Sequence, residues 1–286
     1  MNPHFSLDPV SDLNELLTYP FMVHALEAGT IVALMASVAG WFMVLRRQSF
    51  AGHTLAVMSF PGASGAALAG LPLAAGYFGA CAAASLAISA GSRGVDGRDR
   101  SQESAVIGTV QVAGFALGFL FLSLYHGILE SLESILFGSF LGITQGQVWT
   151  LLAVAAGTFV FFALAGRPLL YASIDPGAAA ARGVPTRLLD PAFLLVLGLA
   201  VAATAQITGV LLVFALLVAP AAAAQQVTPR VGLGLALTTA LALAVTWVGL
   251  GLAYFTDLPV GFFVTTLGFA AYVIASLRAG LRSGLA

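Results

Sequence analysis

Residues 191–227 read PAFLLVLGLAVAATAQITGVLLVFALLVAPAAAAQQV, a stretch without a single charged side chain. A membrane-spanning helix needs about 20 consecutive apolar residues, so this stretch is long enough for two crossings. We predict spans at 191–207 and 208–227, with a loop, a kink or a re-entrant turn at Gln206/Gly209. Unbroken apolar runs favour helices over barrel strands, in which apolar and polar residues alternate.

The same pattern recurs along most of the chain. Of its 286 residues, 59% are apolar and only 8% are charged, whereas a soluble domain has roughly 25% charged residues. This composition excludes a soluble enzyme, and we expect no second, soluble domain. The predicted spans are 21–45, 54–70, 72–91, 104–125, 147–166, 191–207, 208–227, 231–254 and 259–278. The sequence therefore predicts an all-α, polytopic membrane helix bundle of about nine transmembrane helices.

Eleven basic residues, all of them arginine, set the predicted orientation. They follow the first, third, fifth, seventh and ninth spans. The charged residues of the opposite connections are all acidic. Because basic residues concentrate on the cytoplasmic side of membrane proteins, we predict an N-terminus outside and a cytoplasmic C-terminus. The predicted parts are an extracytoplasmic segment 1–20, a transmembrane domain 21–278 with a cytoplasmic loop 167–190, and a cytoplasmic tail 279–286.

The cytoplasmic loop contains the signature of a short helix. Asp175-Pro176 is typical of a helix start, with proline at the first helical position, and an alanine run leads to a stop at Arg182-Gly183. The segment is too short, and too polar at its ends, to cross the bilayer. We predict a surface-lying helix that is either a connector between two spans or a docking element for a cytosolic partner.

Ionisable residues within spans are costly and are candidates for a transport path. His53 is the most informative, because neutral imidazole binds transition metals and a symmetric dimer would supply two copies. The alternative is a histidine that bonds a neighbouring backbone carbonyl. We expect His24, Glu27 and His126 near the outer headgroups and Glu103 at a helix N-terminus. The sequence has no nucleotide-binding, hydrolase or metalloprotease motif, so energy for pumping would come from a partner or an ion gradient.

Short motifs along the chain carry a resemblance to a known family. They are VLRRQSF (44–50), GHTLA (52–56) with PG (61–62), ESAVIG (103–108), LFG (136–138), DP (175–176) through ARGV (181–184), TGVLL (208–212) running to PAA (220–222), and DLPVG (257–261). In their order and spacing the chain resembles the permease subunits of bacterial ABC importers for zinc, manganese and iron. The resemblance covers roughly residues 21–278.

The resemblance implies a homodimeric permease in the bacterial plasma (inner) membrane, with divalent zinc or manganese as cargo. The pathway would run along His53, Thr54, Met58 and Ser59, with His53 as the metal ligand. The implied partners are an ABC ATPase, an extracytoplasmic solute-binding protein, a second copy of the chain and the lipid membrane. We expect no nucleic acid partner, no enzymatic activity in this chain and no resident cofactor.

The same resemblance makes the predicted surface helix the coupling element that contacts the ATPase. The residues implied in this contact are Asp175, Pro176, Arg182, Gly183 and Val184. Closure of the ATPase on ATP would then alternate access to a site between the two permeases.

The second span departs from the family pattern. The family usually has an acid and a histidine four residues apart on one helix face, which present oxygen and nitrogen to one ion. Here those positions are His53 and Val57, and two further family acids appear as Ser104 and Ser139. Either two His53 side chains form a nitrogen-only site for a zinc-like ion, or the cargo is a non-metal solute or a metal chelate. A gradient-driven carrier and a non-transporting membrane scaffold are the alternatives from other classes.

Overall fold

The computed structural model describes residues 18–92, 100–125, 142–256 and 258–283, and all of its regular structure there is helical. The helices within these ranges are α1 Pro20–Leu45, α2 Ser49–Leu68, α3 Leu73–Gly91, α4 Arg100–Leu124, α5 Gln145–Ile174, α6 Pro176–Ala181, α7 Thr186–Thr208, α8 Val210–Val227, α9 Val231–Thr256 and α10 Val260–Ser283. The predicted all-α class is therefore confirmed for this part of the chain.

Seven of the described helices, α1, α3, α4, α5, α7, α9 and α10, are long and apolar enough to cross a bilayer. The other two predicted spans also form helices. However, α2 is less apolar because it contains His53, Pro61 and several hydroxyl side chains, and α8 has 18 residues with a glutamine pair near its end. Nine crossings and the orientation of the termini therefore stay predictions.

Some expectations concern parts of the chain outside the described residues. These are the residues 1–17, His126, 136–138, Ser139 and Asp257. The predicted tail 279–286 falls only partly outside, because α10 continues to Ser283.

Two of the helix boundaries that differ from the predicted spans lie near prolines. Helix α5 was expected to end at residue 166 but continues through Pro168 to Ile174, and α7 begins at Thr186 and passes through Pro191. A proline removes one backbone hydrogen bond, yet Leu169, just beyond Pro168, is fully buried, so the packed face of α5 continues. The predicted loop 167–190 is accordingly shortened to residues 175–185.

The uncharged stretch is divided by a single residue. Helix α7 ends at Thr208, α8 begins at Val210, and Gly209 between them has a φ of 75°. Glycine adopts this conformation without the steric cost of a Cβ. The break is thus a one-residue interruption, and a loop of several residues is excluded.

The chain divides into two compact units. The first comprises residues 1–41, 139–155 and 215–286, and the second comprises residues 42–138 and 156–214. In the first unit, α9 packs on α10. Every residue that the sequence proposes for the pathway or for coupling belongs to the second unit.

Helix α2 lies at the centre of the second unit together with α3, because the two contact each other and both contact α4 and α7. Nearly all of its residues between 51 and 66 are buried. The approach of α2 to α3 is closest at Gly62 and Gly76, where a Cβ on either glycine would overlap the carbonyl oxygen of the other. Small residues are what allow membrane helices to bring their backbones together in this way.

We predict that Gly76→Ala destabilises the protein by about 1–3 kcal/mol, because the added methyl group forces the two backbones apart. Gly79→Ala is the matched control, since it lies in the same helix with no atom within 4 Å of its added Cβ. Thermal unfolding in detergent measures both variants. An equal loss of stability in the two would contradict a specific backbone contact at Gly76.

Candidate functional site

His53 lies in the second turn of α2 and is half-buried. Its ring packs edge-on against Phe214 of α8, with 4.9 Å between ring centroids. Its Nδ1 atom is buried and makes no hydrogen bond with any residue that the structure describes. A neighbouring carbonyl therefore does not hold this nitrogen, so Nδ1 has bonding capacity left for a partner.

The three other residues predicted to line the pathway make contacts between helices of the second unit. Thr54 Oγ1 donates to Gln111 Oε1 of α4 over 3.0 Å, and Met58 packs against α4 at its glycine 114. Ser59 Oγ lies 3.5 Å from Cys81 Sγ of α3. All three side chains are buried. The structure places them on the same helix as His53, and their role in a pathway stays a prediction.

The immediate surroundings of His53 supply no second metal ligand on its own helix face. Val57, one turn further along α2, is buried and apolar. Among the described residues, no three histidine, cysteine, aspartate or glutamate side chains come together in a way that could hold a metal ion. A single imidazole binds a transition metal weakly, so His53 and Val57 by themselves do not form a tight metal site.

Three other ionisable residues that the sequence analysis considered, Glu103, His24 and Glu27, lie near the starts of their helices. Glu103 lies in the first turn of α4, as predicted, and its Oε1 accepts a hydrogen bond from Gln48 Nε2 over 3.3 Å. His24 and Glu27 both lie in the first third of α1.

The predicted short helix is present as α6, and its start has the predicted chemistry. Asp175 precedes the helix in an extended conformation, and its Oδ1 accepts the backbone N–H of Ala178 over 2.9 Å. Pro176 occupies the first helical position. The side chain thus satisfies one of the N–H groups that every helix start leaves without a partner.

The end of α6 also follows the sequence signal. Gly183 has a φ of 81°, which favours glycine, and the N–H of Val184 returns to the carbonyl of Ala179 over 3.0 Å. The guanidinium of Arg182 lies 5.4 Å from the ring centroid of Tyr171 on α5. Local contacts therefore define both ends of α6.

Arg46, at the end of α1, joins several helices, and its role was missed from the sequence. Its guanidinium forms an ion pair with Asp190 in the first turns of α7. It also donates to Gln48 Oε1 over 3.2 Å and to Ser173 Oγ over 3.3 Å, and it lies over the ring of Phe193 at 5.1 Å. We call Arg46, Gln48, Ser173 and Asp190 the Arg46 cluster. The RR pair in the sequence was a visible signal, but nothing local indicates which residues it contacts.

The long apolar helices define the class of the protein, a multi-pass α-helical membrane protein. A family model described as the ABC 3 transport family matches residues 18–279. The chain belongs to this family, and it is a multi-pass protein of the plasma membrane.

Individual relatives agree with this assignment. The chain is 30% identical over 203 residues to the manganese transport system membrane protein MntC of Halalkalibacterium halodurans, covering 71% of this chain and 68% of that protein. It is 31% identical over 222 residues to the chelated iron transport system membrane protein YfeC of Yersinia pestis, covering 76% of this chain and 74% of that protein.

A solved structure is similar in fold. It is PsaBC from Streptococcus pneumoniae in complex with Fab, with a TM-score of 0.80 at 22% identity, covering 93% of this chain and 94% of that one.

We predict that Asp175→Ala loosens the start of α6, whereas Asp175→Asn preserves it. Loss of a helix cap costs about 1 kcal/mol, so the amide of Ala178 should exchange its hydrogen roughly fivefold faster in the alanine variant. Hydrogen exchange read by mass spectrometry on peptides covering residues 175–185 measures the change. Equal protection in the two variants would show that the cap does not support α6.

Proposed function

We propose that this chain is the membrane-spanning permease subunit of an ATP-driven importer of divalent transition-metal ions, with manganese or zinc as cargo. The observation that carries the proposal is the family match over residues 18–279. The relatives named for manganese and for chelated iron support a metal-related cargo. The free Nδ1 of His53 supports a nitrogen ligand in α2.

The proposal includes a homodimer that translocates the ion at its interface. One chain offers one imidazole at this level of α2, and Val57 adds no ligand, so a second copy is the natural source of a second nitrogen. The proposed topology has nine crossings, with the N-terminus outside and the C-terminus cytoplasmic, since that arrangement places every arginine on the cytoplasmic side.

The energy source in this proposal is a separate ABC ATPase. The sequence has no nucleotide-binding motif, and α6 is a compact, capped element that is suited to docking. The contact residues that we propose are Asp175, Pro176, Arg182, Gly183 and Val184. An extracytoplasmic solute-binding protein would deliver the ion.

A second candidate keeps the ABC partnership but changes the cargo to a metal chelate. It is favoured by the lack, among the described residues, of a three-ligand metal group. A chelated ion keeps its ligands during passage and needs fewer from the protein. ATPase activity of the purified complex that responds to a chelate and to no free divalent ion would favour this candidate.

We expect His53→Ala to lower manganese and zinc uptake by roughly tenfold or more, since losing a ligand costs at least as much as losing an outer-shell partner. The measurement is uptake of radioactive ions into metal-limited cells, normalised to the amount of permease in the membrane. His24→Ala is the matched control, because it removes a histidine that we do not place in the pathway. Unchanged uptake after His53→Ala would remove His53 from the mechanism.

A paired substitution sharpens the test of cargo. His53→Asp with Val57→His places an acid and a histidine four residues apart on one face of α2. A carboxylate oxygen suits manganese better than an imidazole does, so the ratio of manganese to zinc uptake should rise.

The energy source has its own test. Uptake that continues when no ATPase co-purifies with the chain would support a gradient-driven carrier.

A further inference from the structure

The Arg46 cluster holds the chain on both sides of α6. Ser173 precedes the first residue of α6, Pro176, by three positions, and Asp190 follows its last residue, Ala181, by nine. Both side chains contact the same guanidinium, Ser173 through Oγ at 3.3 Å and Asp190 through an ion pair. A displacement of α6 that moves either flank therefore acts on Arg46.

The same guanidinium is tied to the beginning of α2. Its Nε donates to Gln48 Oε1, and Gln48 is the residue directly before α2. Gln48 in turn donates through Nε2 to Glu103 of α4. His53 is five residues further along α2, about 7.5 Å of helix rise. The chain of contacts thus runs from the flanks of α6 to the helix that carries His53.

The turn that contains Arg46 is held by two backbone hydrogen bonds. The N–H of Gln48 bonds to the carbonyl of Met43 and the N–H of Arg47 to that of Val44, both over 3.0 Å. This pattern is a Schellman motif, and Arg47 adopts its left-handed conformation with a φ of 58°. The two hydrogen bonds hold Arg46 and Arg47 in a defined turn directly before α2.

The two side chains of the Arg46–Asp190 ion pair differ in their exposure to solvent. The Arg46 side chain is 9% exposed, whereas that of Asp190 is 53% exposed. The guanidinium is fixed by its other contacts, and water can replace it at the more exposed carboxylate at modest cost. Arg46 therefore keeps its other contacts when Asp190 is released.

We propose that the Arg46–Asp190 pair is a positioning element that makes the placement of α2 depend on the placement of α6. Arg46 and Asp190 act through α2 and need not touch the cargo. The inference rests on the proposed function, in which α6 contacts an ATPase. In that setting, engagement of the ATPase reaches His53 through the Arg46 cluster, and breaking the pair uncouples ATP hydrolysis from transport.

The test uses the full chain assembled with its ATPase and binding protein in proteoliposomes. The quantity measured is the number of ions transported per ATP hydrolysed, with manganese as the ion. This ratio does not depend on how much complex folds, so a merely structural loss does not change it. We expect Asp190→Asn and Arg46→Gln each to lower the ratio by about fivefold or more, the size of an ordinary coupling between sites.

Arg47→Gln is the matched control, because it removes the neighbouring arginine and leaves the Arg46–Asp190 pair intact. It should keep the wild-type ratio. The exchange of charges in Arg46→Asp with Asp190→Arg should recover part of the ratio lost in either reversal alone, since contacting residues are energetically coupled.

The outcomes distinguish a failure of the positioning role from a failure of the proposed function. If the wild-type chain assembles and transports, and Asp190→Asn and Arg46→Gln keep its ratio, the positioning role is wrong while the proposed function stands. If the wild-type chain binds no ATPase, the proposed function fails and the positioning role fails with it. A lowered ratio in Arg47→Gln equal to that in Arg46→Gln would also overturn the specific role of the pair.

Discussion

The close contact of Gly62 with Gly76 determines how the second unit is built. It lets the backbones of α2 and α3 touch, so the hydroxyl groups of α2 come within reach of neighbouring helices instead of lipid. Ser59 meets Cys81 of α3, and Thr54 meets Gln111 of α4. A helix with this many polar groups is stable in a membrane only when its neighbours satisfy them. His53 is the contrast, since its buried Nδ1 has no such partner in the part of the chain that the structure describes.

Much of the fold could be predicted because its signals are local. The apolar runs predicted the long helices, and the cap at Asp175 with the glycine at 183 predicted α6. Helices α5 and α7 extend beyond the spans predicted for them, through Pro168 and Pro191. Tertiary burial, as at Leu169, decides whether a helix continues past a proline. The number of crossings depends on how α2 and α8 sit in lipid, which composition alone does not fix.

The site was less predictable than the fold. His53 could be singled out because histidine is rare in an apolar helix, and it lies in α2. Its role in transport stays a prediction. The Arg46 cluster could not be predicted, because Arg46 is 127 residues from Ser173 and 144 residues from Asp190 along the chain. Pairings at such separations are determined by helix packing and leave no periodic pattern in the sequence. The contact of Gln111 with Thr54 was also missed, because the amide of Gln111 is uncharged and was not considered among the ionisable residues of the spans.

The apolar character of Val57 has a consequence for how ions would be told apart. In the proposed dimer, Val57 would add no ligand to replace the water that an ion sheds at His53. Discrimination among ions would then depend in part on how readily each cation gives up its hydration shell. Magnesium, which dehydrates reluctantly, would be held back by its own water without any ligand dedicated to rejecting it.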